Sequence, residues 1–356
     1  MRRRYLLDCL LFILYNKPDK TLIGARLTPI SRKTRICGLS LSGLEALMLT
    51  VIGKILKELK KAVSGKDQAL VWILSTILAE GHILLEDIPG VGKTTIALAF
   101  SRALGLDYGR VQFTPDVLPS DITGYSLYRK ETGEMEYQPG PLLSNLFLAD
   151  ELNRATSRTQ SALLEAMEEG QVTVDGTSHA LPRPFIVMAT QNPTGAAGTQ
   201  LLPDSQIDRF MIRLSIGYPS PEAEAEMVRN RLKGNPLADV SRVIDREGLR
   251  GLIDTVRSQF VSDEVIDFIV QLVSATRNHP ALDSGASPRA TLAVTSLSKA
   301  VSYINQRDYV VPNDAANAFL HALPHRIRLK ADAEARGQKP EDILKDILTQ
   351  VRKPRI

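Results

Sequence analysis

A helical spacing of apolar and polar positions begins near Met48. Ile52, Ile55, Leu56 and Leu59 share one face, with Lys54, Lys57, Glu58 and Lys60 opposite. A second helix is predicted through Ala69-Leu70-Val71-Trp72-Ile73-Leu74, after Val63-Ser64-Gly65-Lys66. The pattern then changes period. Ile83-Leu84-Leu85 reads as a buried strand, and Thr95-Ile96-Ala97-Leu98-Ala99-Phe100 as a helix. Further strands are predicted at Arg110–Phe113, Leu146–Ala149, Phe185–Ala189 and Met211–Leu214, with helical stretches between them. Short apolar strands alternating with helices predict a parallel sheet covered on both faces.

Two segments interrupt that alternation. Tyr125–Tyr128 and Glu134–Tyr137 flank Glu131-Thr132-Gly133, and Val172–Val174 and Ser178–Leu181 flank Asp175-Gly176. Both read as hairpins standing off the sheet. Beyond Tyr218-Pro219-Ser220-Pro221 the strand signal stops. Helical runs are predicted at about 222–232, 246–258, 263–276, 288–303, 313–323 and 340–351. The prolines read as a hinge between an α/β core over 48–218 and a helical lid over 219–356. The chain carries no internal repeat and no low-complexity stretch.

Residues 1–47 follow a different rule. A basic start precedes Leu6–Tyr15, an apolar run too short to span a bilayer and interrupted by Asp8. No small-residue cleavage site follows it. Residues 16–47 have no sustained period. The segment reads as a disordered leader, or as codons upstream of a start at Met48. Both cysteines, Cys9 and Cys37, lie here, so disulfides and thiolate metal sites are excluded from the remainder. That usage fits a reducing compartment, and a cytoplasmic location is expected.

The leader also takes the charge. Residues 1–47 carry nine Lys/Arg and three Asp/Glu, more than the chain's whole net charge of +4, so the rest is close to neutral. A near-neutral body gives no electrostatic case for wholesale binding to nucleic acid. With 44% hydrophobic and 24% charged residues in 356, the composition is that of an ordinary globular protein.

Candidate chemistry starts at Asp87-Ile88-Pro89-Gly90-Val91-Gly92-Lys93-Thr94, between the first strand and its helix. Gly90 and Gly92 let successive backbone N–H groups point into one concavity, and the helix start adds its own unpaired N–H groups. Lys93 is expected to reach β- and γ-phosphates, and the Thr94 hydroxyl a Mg²⁺ ion. The first glycine of G-x-x-x-x-G-K-[ST] is Asp87 here. That position enters the turn without contacting phosphate, so nucleotide binding is expected to survive.

Leu146-Phe147-Leu148-Ala149-Asp150-Glu151 is an apolar strand ending in two carboxylates. Asp150 is expected in the Mg²⁺ shell, and Glu151, just past the strand, as the group that polarises a water. Phosphoryl transfer needs charge neutralisation and a positioned nucleophile more than covalent help. A third strand ends in Thr190-Gln191-Asn192-Pro193, where the Asn192 amide could bond the attacking water or a γ-phosphate oxygen, or simply belong to an Asn-Pro turn. Arg209, in Asp208-Arg209-Phe210, could reach a neighbouring subunit's nucleotide, or pair locally with Asp208. Ser287-Pro288-Arg289 opens a helix, with Ser287 as N-cap and Arg289 opposing the helix dipole, a placement that suggests a bound anion. The five histidines, His82, His179, His279, His321 and His325, are not at metal-ligand spacing.

In this order, Gly90–Thr94, Asp150-Glu151, Asn192, Arg209 and Arg289 resemble the Walker A, Walker B, sensor 1, arginine finger and sensor 2 of AAA+ ATPases. More narrowly the chain resembles the MoxR family, through Leu85–Thr94, Leu118-Pro119-Ser120-Asp121-Ile122-Thr123-Gly124, Asp150-Glu151-Leu152-Asn153-Arg154-Ala155, Ala189–Pro193 and His325-Arg326-Ile327. The likeness runs from about Met48 to Val351. Thr156-Ser157 stand where the family often has prolines, and Asp204 where it often has Glu.

The resemblance implies an α/β P-loop core with a parallel five-stranded sheet and a small all-α lid. It implies ATP on Gly65, Pro89, Gly90, Val91, Gly92, Lys93, Thr94 and Thr95, with Mg²⁺ on Thr94 and Asp150. It implies a homo-oligomer, a hexameric ring, with the two hairpins as inserts of the helix-2-insert clade on one ring face. It implies a chaperone-like motor acting on a protein client with a von Willebrand factor A-domain partner. A magnesium-chelatase-like motor subunit, a helicase-type AAA+ motor and a non-hydrolysing nucleotide-gated scaffold are the alternatives. Neither nucleic-acid binding nor stable membrane insertion is expected.

Overall fold

The computed structural model describes residues 50–88, 90–192 and 202–355. The leader over 1–47, Met48, Pro89 and Pro193 lie outside the described residues.

Thr50 caps α1 (Val51–Ala62) by accepting from the Gly53 N–H at 3.3 Å. α2 (Asp67–Leu78) follows. The α/β part then runs β1 (Ile83–Glu86), α3 (Lys93–Leu104), β2 (Tyr108–Gln112), α4 (Pro119–Thr123), β3 (Gly124–Arg129), β4 (Glu134–Pro139), β5 (Leu146–Asp150), α5 (Ser157–Glu169), β6 (Gln171–Val174), β7 (Thr177–Ala180), β8 (Ile186–Gln191), α6 (Asp204–Ile207) and β9 (Ile212–Leu214). A 3₁₀ turn, Leu152–Arg154, links β5 to α5.

Five strands form one sheet in the order β2-β5-β8-β1-β9, and every pairing is parallel. Alternate strand residues feed two separate cores, as the period of two requires. Ile83, Leu85, Leu146, Leu148, Ile186 and Met188 point to one face, where α1, α2 and α3 pack. Leu84, Phe147, Ala149, Val187 and Ala189 point to the other, toward Phe113, Ile122 and the α5 residues Leu163 and Leu164.

The hairpins form as antiparallel pairs, β3 with β4 and β6 with β7. They are joined to each other: the Tyr137 ring of β4 stacks on His179 of β7 at 3.7 Å.

The lid comprises α7 (Pro221–Lys233), α8 (Arg246–Arg257), α9 (Asp263–Arg277), β10 (Leu282–Ser284), α10 (Pro288–Ile304), α11 (Pro312–Ala322), β11 (Arg328–Leu329), α12 (Ala331–Ala335) and α13 (Pro340–Gln350). The lid is helical as expected, and beside its helices β10 and β11 make one short antiparallel ladder. Those runs are too brief for a period-two pattern, and their pairing joins segments far apart in sequence. The lid also shares a core with the sheet. α2 packs against α8 and α10, and Trp72 stacks on His321 at 3.7 Å. Among the described residues no helix is long and apolar enough to cross a membrane.

Candidate nucleotide site

The turn after β1 has the backbone its glycines predict. Gly90 and Gly92 adopt φ of 88° and 96°, a region costly for residues with a Cβ. A Cβ built on either meets nothing within 4 Å, so both face open space that a side chain would otherwise enter. Gly92 also stands at the N-terminus of α3 with no side-chain cap, leaving first-turn N–H groups for a ligand.

Lys93 is buried, and its Nζ donates to the Asp87 carbonyl at 2.6 Å and to Asn192 Oδ1 at 3.1 Å. Burial lowers its pKa below the ordinary ammonium value, while the charges of Asp87, Asp150 and Glu151 act the other way. Those carboxylates favour the charged ammonium, so Lys93 is held as a cation beside the glycine turn.

The carboxylates come from the end of the adjoining strand β5. Asp150 Oδ1 accepts from the Thr190 hydroxyl at 2.7 Å, and Oδ2 from Arg110 at 2.8 Å. Glu151 turns out of the strand with φ 58° and ψ 45°, a left-handed conformation that non-glycine residues seldom adopt. Its N–H donates to Thr190 Oγ1 at 2.9 Å. Its carboxylate accepts from Arg154 at 2.8 Å and from the Asn192 amide at 3.4 Å. β1, β5 and β8 therefore bring Lys93, Asp150, Glu151 and Asn192 together at the C-terminal edge of the sheet.

Among the described residues no group of three or more His, Cys, Asp or Glu gathers around a possible metal position. The hard oxygens on offer are the Asp150 carboxylate and the Thr94 hydroxyl of the first turn of α3. One or two protein oxygens completed by phosphate and water suit Mg²⁺. Thr95 follows in the same turn. Val91 is half-buried against the core. Gly65 has φ 70°, and a Cβ there would stand 2.6 Å from the Ala223 side chain, so it marks a close approach to α7.

Arg209 and Arg289 are elsewhere. Arg209 precedes β9, and the neighbouring Met211 N–H donates to the carbonyl of His82, just before β1. Both arginines therefore sit at the N-terminal edge of the sheet. A four-residue strand, about 13 Å, separates that edge from the phosphate loop. Arg209 Nη2 pairs with Glu168 Oε2 at 2.8 Å, and Arg289 pairs with Glu168 Oε1. The Arg209 Nε is buried with no hydrogen-bond partner.

Arg209 takes Glu168, and not its neighbour Asp208, as its ion-pair partner. The Asp208 carboxylate instead accepts from Arg326 at 2.8 Å and from the Ser287 hydroxyl at 3.0 Å. Ser287 accordingly makes no side-chain cap for α10. Arg289, expected to face an anion, pairs here with Glu168 and, at 4.0 Å, with Asp208.

Sequence patterns missed Arg110, Arg154, Glu168 and Thr190 as functional contacts. Their partners lie on other strands or helices, except for Arg154, whose spacing of three from Glu151 on a turn was the one available signal.

Comparison with known proteins agrees with this geometry. Residues 82–212 match the family described as "ATPase family associated with various cellular activities (AAA)", and residues 274–347 match "AAA lid domain". The chain is 43% identical to the uncharacterized protein YeaC of Bacillus subtilis, over 85% of this chain and 95% of that protein. It is 38% identical to Chaperone MoxR1 of Mycobacterium tuberculosis, over 84% of this chain and 81% of that one. The crystal structure of a candidate ATPase from Cytophaga hutchinsonii superposes with a TM-score of 0.81 at 36% identity, covering 88% of this chain and 99% of that one. With its phosphate loop, its paired carboxylates and its lid, the chain belongs to the MoxR family of AAA+ ATPases.

Proposed function

We propose that the protein is a Mg²⁺-dependent ATP hydrolase that works as a closed homo-oligomeric ring, of six subunits by family resemblance. The observation that carries this reading is the division of the machinery. Lys93, Asp150, Glu151 and Asn192 meet at one edge of the sheet, whereas Arg209 and Arg289 share Glu168 at the other.

ATP would lie with its phosphates over Gly90, Gly92 and the first turn of α3, with Lys93 leaving the Asp87 carbonyl for phosphate oxygens. Pro89, Val91, Thr95 and Gly65 would complete the nucleotide's surroundings. Mg²⁺, held by Asp150 and the Thr94 hydroxyl, would supply charge neutralisation. Glu151 orients the attacking water once its carboxylate is free of Arg154 and Asn192, and Asn192 senses the γ-phosphate. Arg209 and Arg289 cannot span the sheet to their own loop, so they serve the nucleotide of the next subunit. A head-to-tail ring is the closed assembly that gives every site such a neighbour.

The ring would act as a chaperone-like motor in the cytoplasm, with the core over 48–218, the lid over 219–356 and 1–47 as a leader. Its clients would be proteins engaged together with a von Willebrand factor A-domain partner. The likeness to Chaperone MoxR1 supports this over a magnesium-chelatase-like subunit; the chelatase ChlI homolog of Methanocaldococcus jannaschii is 27% identical over 54% of this chain.

Phosphate release is the test. Turnover should require Mg²⁺, and specific activity should rise with protein concentration as subunits assemble. Activity per subunit that stays flat down to a demonstrated monomer overturns the ring reading. Nucleotide binding without turnover in the assembled protein favours the scaffold.

A further inference from the structure

The residue that breaks the phosphate-loop pattern has a structural task of its own. Asp87 is 7% exposed, and its carboxylate turns away from the cradle toward the segment between β9 and α7. Asp87 Oδ2 accepts from the Gly217 N–H at 2.8 Å, from the Ser215 hydroxyl at 3.2 Å and from the Ile216 N–H. Lys66 holds the same segment from the carbonyl side. Its Nζ donates to Ile216 at 2.8 Å, Gly217 at 2.8 Å and Tyr218 at 2.7 Å.

Residues 215–218 are neither helix nor strand. Their backbone groups, which need partners wherever they leave water, are met by one anion and one cation. Burial pushes the Lys66 ammonium below its ordinary pKa, against the opposing effect of Asp87. Lys66 follows Gly65, which lies against Ala223 in the first turn of α7. The start of the lid, its linker and the α1–α2 turn thus meet beside the phosphate loop. The link back to the nucleotide is short. The carbonyl of Asp87 accepts from Lys93 Nζ at 2.6 Å, the ammonium that phosphate would draw away.

Building on the ATP reading above, we infer that Asp87 and Lys66 are positioning residues that couple the phosphate loop to the lid linker. When Lys93 turns to phosphate, the Asp87 peptide loses its cation and shifts. Its carboxylate carries the amides of Ile216 and Gly217 with it, and Lys66 keeps the linker carbonyls moving as one unit with α7. An aspartate is used where the pattern has glycine because a glycine has no means of gripping the linker.

Hydrogen–deuterium exchange of the full chain, read over residues 215–218 with and without ATPγS and Mg²⁺, tests this. In the wild type, ATPγS should change exchange at Ile216 and Gly217. Asp87→Gly should speed exchange there about tenfold or more, the scale of a lost hydrogen bond to a charged group, and remove the response to nucleotide. Lys66→Met, which leaves the loop sequence intact, should also remove the response, and Lys66→Arg should restore it. A generally loosened fold would not be rescued by arginine alone. Wild-type protein that binds ATPγS with no change in the linker overturns the coupling and leaves the nucleotide reading standing. A normal response in both Asp87→Gly and Lys66→Met overturns it as well. Wild-type protein that binds no ATPγS overturns the nucleotide reading, and the coupling with it.

Discussion

The Thr190 hydroxyl donates to Asp150 Oδ1 at 2.7 Å. Thr190 Oγ1 in turn accepts the Glu151 N–H at 2.9 Å, so one fully buried side chain on β8 fixes two consecutive acidic residues at the end of β5. Glu151 needs that anchor, since its left-handed backbone would otherwise relax.

Thr190→Val removes both hydrogen bonds at almost constant volume. A hydrogen bond to a charged group contributes about 1.5–3 kcal/mol, so turnover should fall roughly tenfold to a hundredfold while nucleotide affinity stays within a few fold. Thr190→Ser should keep most of the activity. Phosphate release at saturating ATP is the measurement. A valine variant with wild-type turnover would show that the hydroxyl is merely satisfied in the core.

The site was legible in the sequence where its parts are consecutive. Gly90–Thr94 and Asp150-Glu151 are local strings set on a strand–helix alternation that short continuous apolar runs reveal, since both faces of this parallel sheet are covered. What the sequence withheld are relations across elements. Nothing along the chain says that Asp208 would choose Arg326 over its neighbour Arg209, or that Ser287 would bond Asp208 in place of capping α10. Both choices arise from the packing of α10 and α11 against the entrance of β9. Asp87 read as a harmless exception for the same reason: the amides it binds lie 129 and 130 residues away.

Lys93 and Glu151 should fail differently. Lys93 meets ground-state phosphates, so Lys93→Ala should lose ATP affinity. Glu151 acts on the attacking water, so Glu151→Gln should bind ATP as the wild type does and hydrolyse it very slowly. Equilibrium binding of a fluorescent ATP analogue beside single-turnover hydrolysis separates the two. Equal affinity in wild type and Lys93→Ala, or undiminished turnover in Glu151→Gln, contradicts the assignment.

Stability should decline below neutral pH through buried histidines. His82 Nδ1 accepts the Val187 N–H at 3.0 Å and its Nε2 bonds the Met167 carbonyl at 3.2 Å, an arrangement that fits the neutral ring. Burial lowers its pKa to about 4, and that of His321, stacked on Trp72, to about 4 as well. An unfolded histidine takes its proton near pH 6.5. The stabilising contribution is therefore complete above that value and is lost as pH falls toward 4, because the unfolded chain binds a proton that the native state refuses. Each ring should cost roughly 2 kcal/mol between pH 7 and pH 5. Denaturant midpoints across that range measure the slope. His321→Phe, which keeps an aromatic ring over Trp72, should flatten it, and an unchanged slope refutes the argument.

The shared carboxylate of Glu168 makes a sharper test of the two arginines. If both reach the nucleotide of the next subunit, each active site takes its Lys93, Asp150 and Glu151 from one chain and both arginines from the neighbour. Arg209→Ala should then still bind ATP but lose turnover by orders of magnitude, as removal of an arginine finger does. Mixing Arg209→Ala with Glu151→Gln subunits creates interfaces where an intact Glu151 meets an intact Arg209, so part of the activity should return. Mixing Arg209→Ala with Arg289→Ala should restore nothing, because every neighbour lacks one of the two guanidinium groups. Were Arg289 to serve its own subunit's nucleotide, that second mixture would recover activity at each Arg209→Ala site flanked by an Arg289→Ala subunit. Co-assembly verified by mass, followed by phosphate release from both mixtures, therefore distinguishes two arginines acting in trans from one. Recovery in neither mixture would leave Arg209 as a structural partner of Glu168.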